Sequence, residues 1–154
     1  MPQSLWVIGI ALAVVLLLGW FFSRTLLGKA LLATSHNRLA AQLVGINVRR
    51  VVLASFGLSA ALGAVAGILV APITFTSWDV GVMLGLKGFA AAILGGMGSG
   101  PGAILGGLVL GIGEAMSAGY VSSAYKDAIA FFGILAVLVF LPSGLLGRRS
   151  TDRV

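Results

Sequence analysis

The chain has 154 residues, of which 59% are hydrophobic and only 9% are charged, and its mean hydropathy is +1.12. A soluble domain carries about 25% charged residues, and a chain this short cannot hide so much apolar surface from water. The composition therefore predicts an integral membrane protein. With no cysteine, one histidine and four acids, it also argues against disulfides, metal sites and acid–base catalysis, so we expect no catalytic residue, metal or cofactor.

The first predicted element is a membrane span at residues 4–23. No charged side chain occurs between Met1 and Ser23, and a helix needs about 20 apolar residues to cross the hydrocarbon. A signal peptide carries positive charge before its apolar run, whereas here the positive charge, Arg24, follows the run. We therefore interpret this run as a span.

The second element, residues 24–50, is basic and contains no acid; its cations are Arg24, Lys29, Arg38, Arg49 and Arg50. By the positive-inside rule this segment is predicted to be cytoplasmic. Its sequence favours two short helices or a helix–turn–helix at the membrane face. Thr34 or Ser35 is expected to cap the second helix, and Gly45 to end it in a left-handed conformation. The alternative is an interfacial loop held by anionic membrane lipid.

Two further spans are predicted at residues 51–72 and 128–146. The tail, residues 147–154, contains Arg148, Arg149 and Arg153 and is predicted to be cytoplasmic. Both basic segments are predicted on the cytoplasmic side, and the spans 51–72 and 128–146 between them already cross the membrane twice. Residues 83–120 must therefore begin and end on the same side of the membrane. They do so either as two short crossings or as a re-entrant pair of half-helices.

The turning point of that pair is predicted within Gly95–Gly102, which has five glycines and a proline in eight residues and so cannot form an unbroken helix. Irregular backbone at membrane depth survives only beside protein or a water-filled cavity, and broken helices often line transport sites. The alternative is that the glycines only permit close helix packing. The candidate residues for a translocation pathway are Gly95, Gly96, Gly98, Ser99, Gly102 and Glu114.

Ionisable residues are few in the apolar regions. Glu114 is the only acid in the third apolar stretch, and an ionised group at membrane depth is costly and usually functional; an interfacial position is the alternative. Lys87 and Asp127 are expected at the outer edge, with Asp79 as a further possible partner for Lys87. His36 has no cysteine or acid nearby, so we interpret it as a polar surface contact.

Four blocks in the same order, Gly28–Asn47, Lys87–Gly107, Tyr125–Asp127 and Leu141–Gly147, resemble the permeases of the branched-chain amino acid ABC transporter family. The resemblance covers the carboxyl-terminal half of such a permease. It implies a single all-α polytopic permease domain, residues 1–154, in the bacterial inner membrane, with a broken or re-entrant helix pair and a cytoplasmic coupling helix–turn–helix.

The resemblance also implies the partners and the cargo. The partners would be ABC ATPase subunits that hydrolyse ATP, a second permease subunit and an external solute-binding protein. The loop would dock onto the ATPase through Lys29, Ala33, His36, Asn37, Ala41 and Gly45. Family loops often carry an acid where Ser35, His36 and Asn37 stand here, so a salt bridge at that point is not expected. The implied cargo is a branched-chain or related small amino acid, urea or a short amide.

Other function classes fit less well. A small stand-alone channel or secondary carrier is the alternative, although a coupled carrier usually needs ionisable residues within its spans, and Glu114 alone qualifies. The net charge of +6 does not indicate nucleic acid, because the basic residues stand in short stretches between apolar runs.

Overall fold

The computed structural model describes residues 2–75 and 77–147, and the regular secondary structure of this part is entirely helical. Its helices are α1 (Pro2–Arg24), α2 (Leu26–His36), α3 (Arg38–Leu43), α4 (Val48–Thr74), α5 (Val80–Gly95), α6 (Gly100–Tyr120) and α7 (Lys126–Phe140). Residues 1–76 and residues 77–154 form two compact units. The predicted all-α class is confirmed.

Helix length divides these elements into two groups. Among the described residues, α1, α4 and α6 are long and apolar enough to cross a membrane. Helices α5 and α7 have 16 and 15 residues, which corresponds to about 24 and 22 Å at 1.5 Å per residue. Both are shorter than the roughly 30 Å of a bilayer's hydrocarbon core.

The first unit, residues 1–76, has little interior of its own. Helix α1 is described along its whole length and has no buried residue; Val51 is the one buried residue of α4, which is also described in full. A helix that is apolar on every side is typical of a membrane span, because lipid or another helix covers it. The buried positions of the unit lie instead on or beside the short helices: Gly28 packs against the end of α1, and Thr34, Ala41 and Val51 lie in α2, α3 and α4.

The second unit is a helical hairpin with a third helix packed on it. Helices α5 and α6 run antiparallel, since Gly95 meets Gly102 and Ala91 meets Gly106. Helix α7 packs against both through a small core of Ala90, Leu94 and Ile134, with Leu110, Val137 and Leu138 around it.

The last helix is shorter than the predicted span of residues 128–146. It is α7, which ends at Phe140. Pro142 has no N–H to continue a helix, and Gly144 has a φ of +74°, which lies outside the right-handed helical region. Residues 141–147 therefore form a loop, which we call the tail loop.

Candidate coupling and translocation sites

The basic segment at residues 24–50, hereafter the basic elbow, begins at a sharp joint between α1 and α2. The Thr25 hydroxyl accepts a hydrogen bond from the N–H of Gly28 at 3.1 Å and donates to the carbonyl oxygen of Phe21. Gly28 is buried, and a Cβ there would lie 2.5 Å from the Phe21 oxygen and 2.7 Å from the Phe22 Cα. Only glycine lets α2 pack this closely on the end of α1.

The cap of the elbow's second helix is Asn37. Its side-chain oxygen accepts a hydrogen bond from the N–H of Ala40 at 3.1 Å. The predicted caps, Thr34 and Ser35, are wrong, because α2 continues to His36. Inside that helix their hydroxyls donate back to the carbonyl oxygens of Ala30 and Leu32, as hydroxyls in a helix interior commonly do.

Gly45 ends the second helix as predicted. Its φ is +86°, its N–H donates to Gln42, and the N–H of Ile46 donates to Ala41, both at 3.0 Å. This pair of bonds is a Schellman motif, which satisfies the last free carbonyls of α3. Asn47 then caps α4 by accepting from the N–H of Arg50, so every joint of the elbow is fixed by a local hydrogen bond.

Most of the predicted docking residues lie on the surface of the first unit: Lys29, Ala33, His36, Asn37 and Gly45 are exposed. Ala41 is different, since it is 3% exposed and so packs inside the unit. The His36 Nδ1 lies 2.8 Å from the Leu32 oxygen, which fits a polar surface side chain. Among residues 2–75 and 77–147, no group of three or more His, Cys, Asp or Glu side chains is placed to hold a metal ion.

A groove beside the elbow was not foreseen from the sequence. A cavity of about 420 Å³ lies between α2 and α4, and its lining includes Leu31, Thr34, Arg38, Val51 and Ser55. Such a groove depends on how two helices cross, which no local sequence pattern reveals. It gives the basic elbow a concave surface with a cation at its edge.

The turn of the hairpin lies where it was predicted. Helix α5 ends at Gly95 and α6 begins at Gly100. The Ser99 side-chain oxygen caps α6 by accepting from the N–H of Gly102 at 3.1 Å, and Pro101 stands in the first turn, where its missing N–H costs nothing. We call residues 96–99 the glycine turn.

Close backbone packing explains two of the predicted pathway glycines. A Cβ on Gly95 would overlap the carbonyl oxygen of Gly102, and a Cβ on Gly102 would overlap that of Gly95. Gly106 stands in the same relation to the Ala91 oxygen. Gly95, Gly96 and Gly102 are buried, Ser99 is half-buried and Gly98 is exposed. Within the second unit, therefore, Gly98 and Ser99 are the predicted turn residues that reach the surface.

The tail loop contacts the same end of the hairpin. The N–H groups of Leu145 and Leu146 donate to the carbonyl oxygens of Leu94 and Gly95, at 2.9 and 3.0 Å. This contact was not predicted from the sequence, because the predicted last span, residues 128–146, includes most of the tail loop.

Glu114, the remaining pathway candidate, belongs to an ionic cluster. The Lys87 Nζ lies 2.5 Å from the Glu114 Oε1 and 2.7 Å from the Asp127 Oδ1, so one ammonium joins α5, α6 and α7. Lys87 therefore does not pair with Asp79. Asp79 instead accepts a hydrogen bond from the Ser77 hydroxyl, which holds the pKa of Asp79 below its ordinary value.

The comparisons with known proteins decide the family. The family model described as "Branched-chain amino acid transport system / permease component" matches residues 1–139. The chain belongs to this family. The resemblance seen in the sequence is thereby confirmed.

Individual relatives agree with the family. LivH, a permease of the high-affinity branched-chain amino acid transport system of Escherichia coli K12, is 39% identical over 155 residues, covering 100% of this chain and 50% of LivH. BraD of Pseudomonas aeruginosa is 40% identical over 135 residues, or 87% of this chain and 44% of BraD. The autoinducer 2 import permease LsrC of Escherichia coli O9:H4 is 31% identical over 140 residues, which cover 85% of this chain and 41% of LsrC.

The chain spans about half the length of the curated relatives it matches. These relatives are transport subunits rather than enzymes, and together with the long apolar helices they support a membrane location. No solved structure matches the chain.

Proposed function

We propose that the chain is part of the permease subunit of an ATP-driven importer that carries branched-chain amino acids or related small solutes across the bacterial inner membrane. The observation that supports this most strongly is the family match over residues 1–139, joined to 39% identity with a branched-chain amino acid permease. ATP hydrolysis belongs to separate ATPase subunits. A second permease subunit and an external solute-binding protein complete the assembly.

The basic elbow is the surface that receives the ATPase. Its joints at Thr25, Asn37 and Gly45 are fixed by local hydrogen bonds, so a push on one helix moves the other instead of bending the link. Its formal charges are all positive, which suits an acidic partner surface. The groove between α2 and α4 can take a side chain of that partner.

The tail loop favours one threading of the hairpin. Leu145 and Leu146 are bonded to the end of α5, so the glycine turn lies at the level where α7 ends. The arginines that follow the loop in sequence favour a cytoplasmic position for this level. Helix α5 then crosses toward the cytoplasm and α6 crosses back, which favours two crossings over a pair re-entering from outside. Local thinning of the bilayer accommodates the 16 residues of α5.

This threading assigns the two ends of the hairpin to the two faces of the membrane. Gly98 and Ser99 lie at the inner end, beside the tail loop. Asp127 stands in the first turn of α7, at the outer end, and pairs with Lys87 in the middle of α5. The Lys87 side chain leans toward the amino end of its helix, which here is the outer one, and there it also meets Glu114. We infer that the solute passes along this hairpin, between Ser99 at the inner mouth and Glu114 at the outer.

Co-purification tests the proposal. The chain is tagged in the organism that encodes it, isolated from membranes in mild detergent, and its partners are identified by mass spectrometry. We expect an ABC ATPase subunit in the complex, and we expect Arg38→Glu with Arg49→Glu to reduce its recovery about tenfold. The matched control is Lys126→Glu, a charge reversal at the start of α7 in the second unit, outside the basic elbow. A chain recovered alone, with no ATPase affinity, would contradict the proposal and favour a stand-alone channel or carrier.

A further inference from the structure

The tail loop supplies hydrogen-bond donors to the carboxyl end of α5. The last carbonyl groups of a helix have no partner within that helix. Here the carbonyl oxygens of Leu94 and Gly95 accept from Leu145 and Leu146, which lie about 50 residues further along the chain. The cap of α5 is therefore a distant segment of the chain, and α5 cannot shift along its axis without breaking both bonds.

Three glycines interlock where the loop meets the turn. Gly96 and Gly144 have φ values of +101° and +74°, a region that favours glycine. A Cβ on Gly144 would lie 2.5 Å from the Gly96 nitrogen and 2.6 Å from its Cα, and a Cβ on Gly96 would lie 2.6 Å from the Gly147 Cα. A Cβ on Gly147 would overlap the carbonyl oxygen of Ser143. The contact is backbone against backbone, with no space for a side chain.

The tail loop is in turn fixed to α7. The N–H of Leu141 donates to Val137 in the last turn of α7, and the N–H of Gly144 donates to Leu141. A displacement of the end of α7 therefore reaches the glycine turn through a short, bonded path. By contrast, the turn itself is open at Gly98, where a Cβ would have no neighbour within 4 Å.

We propose that the tail loop holds the glycine turn in its transport-competent position, with Gly144 and Gly147 as positioning residues. The proposal rests on the proposed function, which puts Ser99 at the inner mouth of the pathway. Neither residue need contact the solute. They act by setting the position of the glycine turn, which contains Ser99 and contacts the solute.

The test reads the position of the turn independently of transport. Met97 is 65% exposed and the chain has no cysteine, so Met97→Cys gives a single reporter in the assembled transporter. Its labelling by a membrane-impermeant maleimide is timed in inside-out vesicles, and uptake of labelled leucine is measured separately in intact cells. Gly144→Ala and Gly147→Ala are each added to this reporter. The matched control is Gly133→Ala in α7, where a Cβ meets nothing within 4 Å.

We expect Gly144→Ala and Gly147→Ala to raise the labelling rate about fivefold and to lower leucine uptake about tenfold, and Gly133→Ala to change neither. Two different loop variants are used. If one of them does not insert into the membrane, the other still tests the proposal. Unchanged labelling in the inserted variants overturns the proposal, and so does raised labelling with full uptake. A failure of the proposed function is seen separately, as an unsubstituted chain, in its assembled transporter, that does not take up leucine.

Discussion

The basic elbow and the α5–α6 hairpin are stabilised over different distances along the chain. In the elbow, each fixing bond joins residues within about one helical turn, such as Asn37 with Ala40. In the hairpin, the contacts join residues far apart in sequence, such as Lys87 with Glu114 and Leu94 with Leu145. A locally capped element keeps its shape by itself. The hairpin instead keeps its shape only when α7 and the tail loop pack against it. Substitutions should therefore cost more in the hairpin than in the elbow.

The largest effect is expected from Gly106→Ala in the hairpin. The new Cβ would overlap the Ala91 carbonyl oxygen and lie 2.8 Å from the Gly95 nitrogen, so the helices must separate at a cost of about 3 kcal/mol. Its neighbour Gly107 has open space, and Gly107→Ala should be neutral or slightly stabilising. Thermal unfolding in detergent compares the two variants. Equal behaviour would show that the hairpin is not packed backbone to backbone.

The next effect is expected from Lys87→Met, which leaves two carboxylates facing each other. Removing one partner of a fully buried pair costs about 3–5 kcal/mol. Because the three side chains are 23%, 22% and 35% exposed, we expect solvent screening to reduce the loss to about 2 kcal/mol. Lys87→Arg should retain most of the stability, and Lys87→Glu combined with Glu114→Lys should recover part of what Lys87→Glu loses. No recovery in the double variant would argue against a direct ion pair.

A smaller effect is expected in the elbow. Asn37→Ala removes the cap of α3 and should destabilise that helix by about 1 kcal/mol, seen as faster hydrogen exchange of the α3 amides. Ser35→Ala is the control, because the Ser35 hydroxyl donates to Leu32 within α2 and caps nothing. A larger effect of Ser35→Ala than of Asn37→Ala would contradict Asn37 as the cap of α3.

The smallest effect concerns Ser77 and Asp79, at the start of the second unit. The Ser77 hydrogen bond lowers the pKa of Asp79, so the carboxylate stays ionised to a lower pH than an isolated aspartate does. Any stability this bond gives is present above the ordinary pKa and is lost as the pH falls through the lowered value. Ser77→Ala should raise the pKa of Asp79 toward 3.8, as measured by a carbon-13 shift titration, with no change in the unfolding temperature. An unmoved pKa would rule out the bond.

The same difference in range explains what the sequence could reveal. Gly45 and the Gly95–Gly102 break were predicted correctly, because a left-handed helix end and a glycine-rich break are local features. The cap at Thr34 or Ser35 was wrong because the helix-forming residues of α2 extend the helix to His36, and Asn37 then takes the cap. Local sequence patterns alone do not decide such competition between neighbouring caps.

Contacts between segments that lie far apart in the sequence could not be predicted from such local patterns. Lys87 was not assigned to Glu114 and Asp127, because that cluster depends on α7 packing against the hairpin. Gly95, Gly96 and Gly102 are buried in close backbone contacts within the second unit, and these contacts were not predicted residue by residue. Their place on a translocation pathway stays a prediction, because a glycine that opens a path and a glycine that permits close packing look the same in sequence.

The sidedness of the basic elbow tests the account most directly. Ser35 is exposed, and the chain has no cysteine, so Ser35→Cys can be labelled by an impermeant maleimide in right-side-out and inside-out membranes. We predict labelling from the cytoplasmic face only. Labelling from the outer face would place the elbow out of reach of an ATPase and contradict its role as the coupling surface.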